Sequence, residues 1–206
     1  MIIGRWRHLG GLVNVRVIGV GEVGGAPRRA GRRLGGPGGD RQGVAFTFYG
    51  TTVLPFLAED LRAAGYTVSV NVGTGMTRPQ RRRSKQAFLR GETQIFLSSD
   101  AGARGISLGP ASALLHVEPP TKFEIYTQRS DRIHRYDSPH RRVWVDLLAA
   151  AKTVDMGALR KMLERNEQHE HLVDYDLATE GRDPGTAYLS ADERRAMLAV
   201  SRRLAA

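Results

Sequence analysis

Residues 128–135 (QRSDRIHR) combine side chains that could bind and stabilise phosphate groups. Gln128, Arg132 and Arg135 are four and three residues apart, so on a helix all three project from one face. A helix over 121–135 is expected because a threonine opens this run and its apolar residues recur at helical spacing. Planar guanidinium groups that keep their charge match the oxygens of a phosphate chain. The pattern indicates either a phosphate site or a solvated basic helix face.

A second segment of this kind, 98–108 (SSDAGARGISL), lies upstream. Its small residues would let backbone amides approach a phosphate closely, and the hydroxyls of Ser98 and Ser99 could add hydrogen bonds. The alternative is a tight turn in which Gly102 and Gly105 supply positive φ angles. Both interpretations place an unusual loop directly after an apolar strand.

The elements around these segments alternate between strand and helix. Thr77 and Gln80 form a capping-box pattern at the start of the second helix, and Thr51 or Thr52 is expected to cap the first. Such alternation predicts a parallel α/β sheet with helices on both faces and ligand sites beyond the carboxyl ends of the strands. The predicted strands are 44–49, 66–72, 93–98, 112–117 and 142–148, and the helices before 121–135 are 51–64 and 78–89.

Composition limits the classes of function. The 206 residues carry 31 Lys and Arg against 21 Asp and Glu, a net charge of +10 that favours a polyanionic partner such as nucleic acid or nucleotide. The absence of cysteine excludes disulfides and thiolate zinc sites and fits a reducing compartment. No apolar run has the length of a membrane span, so no membrane association is expected and the cytoplasm is the expected location.

Residues 1–43 differ from the rest, with thirteen of the 24 glycines and eight arginines against Glu22 and Asp40. We expect this Gly/Arg-rich segment to be disordered. Within it, 19–24 (GVGEVG) matches the GxGxxG dinucleotide fingerprint after a strand-like run at 12–18. A dinucleotide site would need a helix at these glycines and an acidic strand end some twenty residues on, whereas more glycines and Pro27 follow. A stand-alone oxidoreductase is therefore the disfavoured alternative.

The order of these segments resembles the second lobe of superfamily-two helicases in its Swi/Snf-type form. Residues 128–135 resemble motif VI, with Asp131 before the first arginine of Q-x-x-D-R-x-x-R, and 98–108 resemble motif V. Residues 44–50 resemble motif IV, and 73–77, with Arg81 and Phe88, resemble the stretch between. A departure is Glu118-Pro119-Pro120, where the family usually has an acidic residue followed by Trp-Asn-Pro.

The resemblance implies a RecA-like lobe of an ATP-driven nucleic-acid translocase, with ATP and Mg²⁺ as cofactors and double-stranded DNA as the expected track. Arg132 and Arg135 would be catalytic arginine fingers. Gln128, Asp131 and Gly105 would support the nucleotide. The nucleic-acid contacts implied by the family are Ser98, Ser99, Gly102, Arg104, Gly73 and Thr74.

The sequence contains no G-x-x-x-x-G-K-[ST] phosphate loop and no strand-end Asp-Glu pair before Val44. We therefore expect a lobe with the Walker motifs to come from another chain or to be missing from this one, so that the chain alone is inactive. A nonenzymatic nucleic-acid-binding module or a decayed helicase fragment is the alternative. The expected domains are the 1–43 segment, a RecA-like domain over 44–170, and a helical extension over 171–206.

Overall fold

The computed structural model describes residues 2–8, 11–18, 34, 36–100, 105–134, 138–140, 142–150, 153–162 and 164. Seven strands form one sheet in the order β1-β2-β7-β6-β3-β5-β4. The strands are β1 Ile2–His8, β2 Gly11–Ile18, β3 Gln42–Thr47, β4 Val68–Asn71, β5 Ile95–Ser99, β6 Ala111–His116 and β7 Arg142–Leu148. The helices are α1 Leu54–Ala63, α2 Arg78–Leu89 and α3 Phe123–Ser130, and residues 154–162 are also helical.

The sheet from β2 to β4 is parallel, and only β1 joins it antiparallel, through β2. β3 and β5 are interior strands and are buried along almost their whole length, as expected for parallel strands covered on both faces. Alternate side chains enter two separate cores. Phe46 and Phe96 pack on one face, whereas Ala45 and Leu97 pack on the other with α1. The predicted RecA-like α/β fold is confirmed.

Helix boundaries follow local capping chemistry. α2 has the bounds predicted from sequence, because Thr77 Oγ1 accepts from the Gln80 amide (3.4 Å) while the Gln80 side chain accepts from the Thr77 amide (2.8 Å). The prediction that Thr51 or Thr52 caps α1 is wrong. A turn closed by the Val53 amide and the Tyr49 carbonyl (2.8 Å) already contains both threonines, so the helix starts after it with Val53 as N-cap and no side-chain cap.

α3 is shorter than the predicted helix over 121–135. It ends at Ser130, and residues 131–134 continue as tight turns, in which the Arg132 amide donates to the Arg129 carbonyl (3.1 Å) and the Ile133 amide to the Ser130 carbonyl (3.2 Å). Gln128 therefore lies on α3 and Arg132 in the turn, which corrects the expectation of one regular helix face. Ile133 is fully buried, and packing of this side chain fixes the turn against the sheet.

The first 43 residues contain ordered elements, which corrects the expectation of disorder for the described part. β1 and β2 belong to the sheet, and the strand-like run at 12–18 is confirmed as β2. Gln94 holds the approach to β3, since its Nε2 donates to the Gly36 carbonyl (2.7 Å) and its Oε1 accepts from the Gly38 amide (3.1 Å). β3 itself begins at Gln42, so the boundary expected at residue 43 falls inside a strand.

Two further expectations lie outside the described residues: the fingerprint at 19–24 and the helical extension at 171–206. Among the residues that the structure does describe, no helix is long and apolar enough to cross a membrane.

Candidate nucleotide and nucleic-acid site

The carboxyl ends of β3, β4 and β5 border a cleft of about 180 Å³. Phe48, Gly73, Thr74, Ser99 and Asp100 are among the residues that line it. Three of these were predicted from sequence to contact nucleic acid, although they lie up to 26 positions apart along the chain. Parallel pairing brings them together because every strand of this group ends at the same edge.

Close packing of backbone shapes the floor of this cleft. The Gly73 amide donates to Ser99 Oγ (3.1 Å), and Arg81 Nη1 donates to the Gly73 carbonyl (2.9 Å). A Cβ added at Gly50 would lie only 2.5 Å from Ser99 Cβ, so the loop after β3 can approach β5 only with glycine there. Thr74 is exposed at the rim. This arrangement fixes Ser99 and presents Thr74 to a ligand.

Ser98 has a structural position instead. Its side chain is fully buried, where Oγ donates to the Asn71 carbonyl (3.1 Å) and accepts from Asn71 Nδ2 (3.4 Å). These bonds join the ends of β4 and β5. The expected contact between the Ser98 side chain and nucleic acid is therefore corrected, because successive strand residues point to opposite faces.

Arg129 is the centre of a buried polar network that the sequence analysis did not identify. Its side chain is 3% exposed and binds Asp100 through two bonds, Nε to Oδ1 (2.7 Å) and Nη2 to Oδ2 (2.9 Å). Nη2 also reaches Glu118 Oε1 (3.4 Å), and the guanidinium carbon lies 5.9 Å from the Phe46 ring centroid. The bidentate geometry makes the Asp100 contact the strongest of these. In the sequence, Arg129 is an arginine among apolar helix positions. Spacing alone does not distinguish such a buried arginine from one on the surface.

Glu118 extends the network from α3 to the end of β3. Its Oε2 accepts from Thr47 Oγ1 (2.6 Å) and its Oε1 from the Phe48 amide (2.7 Å). Thr47 Oγ1 in turn accepts from the Tyr49 amide (3.0 Å). The acidic residue at the start of Glu118-Pro119-Pro120 thus orients the segment that follows β3.

His116 completes the network in a neutral form. Arg129 Nη1 lies 3.3 Å from His116 Nδ1, and because a guanidinium only donates, Nδ1 must be the acceptor and the ring proton is on Nε2. Burial, and then the charge of Arg129, hold the pKa of His116 well below its usual 6.5. The ring stacks on Tyr126 at 4.7 Å. Neutral His116 therefore supports Arg129 without adding charge to the interior.

Arg132 lies in the turn after α3, next to the segment that follows β5. The Leu108 amide donates to the Arg132 carbonyl (2.8 Å), which ties this turn to residues 105–110. The half-buried Arg132 side chain has no hydrogen bond or ion pair among the described residues. Gly105 is exposed with φ +70°, as its proposed turn requires. The guanidinium of Arg132 is therefore available to an external anion.

The remaining predicted residues divide into two groups. Gln128 is exposed on α3 and Asp131 is half-buried at its C-terminal cap. Gly102, Arg104 and Arg135 lie outside the described residues.

Comparisons with known proteins agree with this geometry. The model of the helicase conserved C-terminal domain matches residues 39–137. The ATP-dependent RNA helicase fal1 of Aspergillus oryzae is 32% identical over 81 residues, which are 39% of this chain and 20% of that protein. The chain therefore spans about a fifth of the length of this curated relative.

Two solved structures share the fold. The C-terminal part of the Fun30 ATPase domain superposes with a TM-score of 0.54 at 20% identity, covering 59% of this chain and 39% of that one. A chain from the crystal structure of the E. coli DEAD-box protein SrmB bound to regulator of ribonuclease activity A superposes with a TM-score of 0.61 at 19% identity, covering 77% and 87%. Residues 39–137, slightly less than half of the chain, are therefore similar to the helicase conserved C-terminal domain, and the two solved structures show that the chain shares this fold.

Proposed function

We propose that this chain supplies the second lobe of an ATP-driven nucleic-acid helicase or translocase. The observation that carries the proposal is the Asp100–Arg129 pair, which ties the cleft after β5 to the segment that presents Arg132. A nucleic-acid contact and a nucleotide contact placed on one rigid frame are what such a motor needs to couple its two ligands.

Arg132 acts in this proposal as an arginine finger, and Arg135 acts beside it. Their guanidinium groups reach across to a nucleotide held by the first lobe, where they stabilise the charge that develops on the transferred phosphoryl group. ATP with Mg²⁺ supplies the phosphoryl group and the leaving group. The available Arg132 side chain fits this role because a guanidinium is permanently charged and its planar fork matches phosphate oxygens. Gln128, Asp131 and Gly105 support the nucleotide from the same side.

The first lobe comes from outside these 206 residues, because the sequence lacks a Walker A loop. Ser99, Gly73 and Thr74 contact the nucleic-acid backbone, together with Gly102 and Arg104 in the loop after β5. The Swi/Snf-type resemblance favours DNA as the track. The fal1 relative is named as an RNA helicase, so the experiment must compare RNA with DNA as the nucleic acid.

The test is ATP turnover by the purified chain alone and mixed with the product of the neighbouring reading frame as the candidate first lobe, with DNA, with RNA and with neither. We expect turnover only in the mixture and more of it with DNA. Arg132→Ala or Arg135→Ala should lower the turnover by a factor of about 10³ or more while the mixed complex still forms.

Arg90→Ala is the matched control, since Arg90 lies on the far end of α2 in an exposed pair with Glu92 (2.7 Å). It should turn over ATP at the parent rate. Full activity of Arg132→Ala would contradict the finger role. A mixture that never hydrolyses ATP, combined with salt-sensitive DNA binding by the chain alone, would favour the nonenzymatic module.

A further inference from the structure

Two aromatic side chains stand exposed directly after β3, a strand that is otherwise almost entirely buried. Five consecutive residues of β3 are buried, yet Phe48 and Tyr49 are 68% and 56% exposed. Their rings meet edge to face, with centroids 5.6 Å apart and planes at 89°. Adjacent exposed aromatic rings, one of which lines a cleft, are typical of a binding surface.

The backbone of this aromatic pair is held rigidly. The Phe48 amide donates to Glu118 (2.7 Å), the Tyr49 amide donates to Thr47 Oγ1 (3.0 Å), and the Gly50 amide donates to the Phe48 carbonyl (3.0 Å). Glu118 is itself anchored by buried Arg129. The backbone that carries the two rings is therefore preorganised, so a ligand that packs on them has little backbone to immobilise.

Charge around the cleft favours an anionic ligand that also carries flat apolar groups. Phe48 lines the same cleft as Thr74 and Ser99, and the one carboxylate in that lining, Asp100, is paired twice with Arg129. Arg81 of α2 holds the Gly73 carbonyl, so this helix lies beside the cleft. α2 carries five basic and no acidic residues among its twelve. Phosphates and planar rings occur together in nucleic acids.

We propose that Phe48 and Tyr49 form a platform on which unpaired bases of a single-stranded nucleic acid stack, while its phosphates follow Thr74 and the basic side of α2. The inference rests on the proposed function and deepens it, because it names the strand state of the track at this point. A paired base is stacked inside its duplex and offers no free face, whereas an unpaired base of any sequence does. The platform therefore selects unpaired bases where the sequence resemblance favoured a duplex.

The experiment compares two fluorescent probes of equal length and charge: a short oligothymidine and the same oligonucleotide with abasic sites in place of its bases. Anisotropy titrations are made with the full chain and with the variants Phe48→Ala, Tyr49→Ala and Phe48→Trp. We expect either alanine variant to weaken oligothymidine binding about tenfold, with abasic binding unchanged, and Phe48→Trp to restore the parent affinity.

Phe56→Ala is the matched control, because Phe56 is 70% exposed on α1 and does not line the cleft. It should bind both probes as the parent does. Thermal unfolding of each variant checks the fold, which truncation of an exposed ring should leave intact.

Equal binding of both probes by the parent chain, or unchanged oligothymidine binding by Phe48→Ala and Tyr49→Ala, would overturn the platform. The platform would also be overturned if the two alanine variants weakened binding of a blunt duplex by the same factor as binding of oligothymidine. None of these binding results depends on ATP turnover in the mixture. The platform and the proposed function are therefore tested, and can be contradicted, in separate assays.

Discussion

Arg129 places a permanent charge where water has almost no access. Its guanidinium is satisfied by Asp100, by Glu118 and by neutral His116, and these three partners come from the ends of β5 and β6. A buried ion pair adds little net stability when it is complete, because desolvation offsets the attraction. Removing one partner of the pair is strongly destabilising, because the charge that remains is buried without a compensating charge.

We expect Arg129→Met to lower the free energy of unfolding by about 3 kcal/mol. This is at the low end for a broken buried pair, because the Asp100 side chain is partly exposed and can recover some hydration. Arg129→Lys should lose less, since the charge stays and only the bidentate geometry is lost. Urea unfolding at neutral pH measures both. A Met variant as stable as the parent would mean that the network does not hold the cleft together.

His116 gives the molecule a defined response to acid. Its pKa is lowered in the folded state by burial and by Arg129, whereas in the unfolded chain it is about 6.5. Below about pH 6.5 the unfolded chain therefore binds a proton at His116 that the folded chain does not bind. The free energy of unfolding consequently decreases as the pH falls below about 6.5, and the contribution of His116 is fully present above that pH.

We expect His116→Asn to flatten this part of the stability profile, because an amide oxygen can still accept from Arg129 but does not titrate. The measurement is urea unfolding of both proteins between pH 5 and pH 8, with the difference between the two profiles as the readout. Parallel profiles for parent and variant would show that His116 is not the group responsible.

Helix α2 has well-defined capping at its ends but carries basic side chains that repel one another. The Thr77–Gln80 capping box and a C-terminal turn at Gly91 with φ +75° define its two ends. Arg78, Arg82 and Lys85 fall on one side of it at spacings of four and three residues. None of the three has an ion-pair partner among the described residues. Like charges at this spacing repel, so the helix is more favourable when a polyanion lies along it.

We expect the triple variant Arg78→Gln, Arg82→Gln, Lys85→Gln to weaken binding of single-stranded nucleic acid and to reduce the slope of log K against log salt by about 2. The estimate assigns about 0.7 per phosphate contact to each of the three cations. Arg90→Gln, which removes a charge already paired with Glu92, should leave the slope near the parent value. An unchanged slope in the triple variant would place the phosphates elsewhere.

At the scale of the whole molecule, the β1–β2 hairpin covers the outer edge of β7. β2 pairs with β7 along seven residues, from Leu12 opposite Arg142 to Ile18 opposite Leu148. β7 has fully buried side chains at Val143, Val145 and Leu147. Without the hairpin, this apolar strand would become an open edge with unpaired amides and carbonyls.

Deletion of residues 1–18 should therefore promote self-association. Light scattering coupled to size-exclusion chromatography, at several protein concentrations, measures it. Deletion of residues 165–206, at the opposite end of the chain, serves as the comparison. A truncated chain that stays monomeric and as stable as the parent would show that the domain does not need β1 and β2.

Features that depend on local chemistry could be predicted from the amino-acid sequence. Apolar runs bounded by glycine located the strands, the capping box and Gly91 fixed the two ends of α2, and the order of the loops indicated a helicase lobe. The strand and capping signals survive without tertiary context because each arises from residues within a few positions of one another.

The tertiary structure decided which side chains meet and which are accessible. Packing of Ile133 replaced the end of a predicted helix with a turn that carries Arg132. Both serines at the end of β5 are buried, but only Ser99 lines the cleft. Strand pairing placed Asp100 and Glu118 around Arg129. Phe48 and Tyr49 are exposed because they follow the last residues of β3 that pair with β5 and β6. Contacts between residues tens of positions apart depend on sheet order and register, which no local pattern encodes.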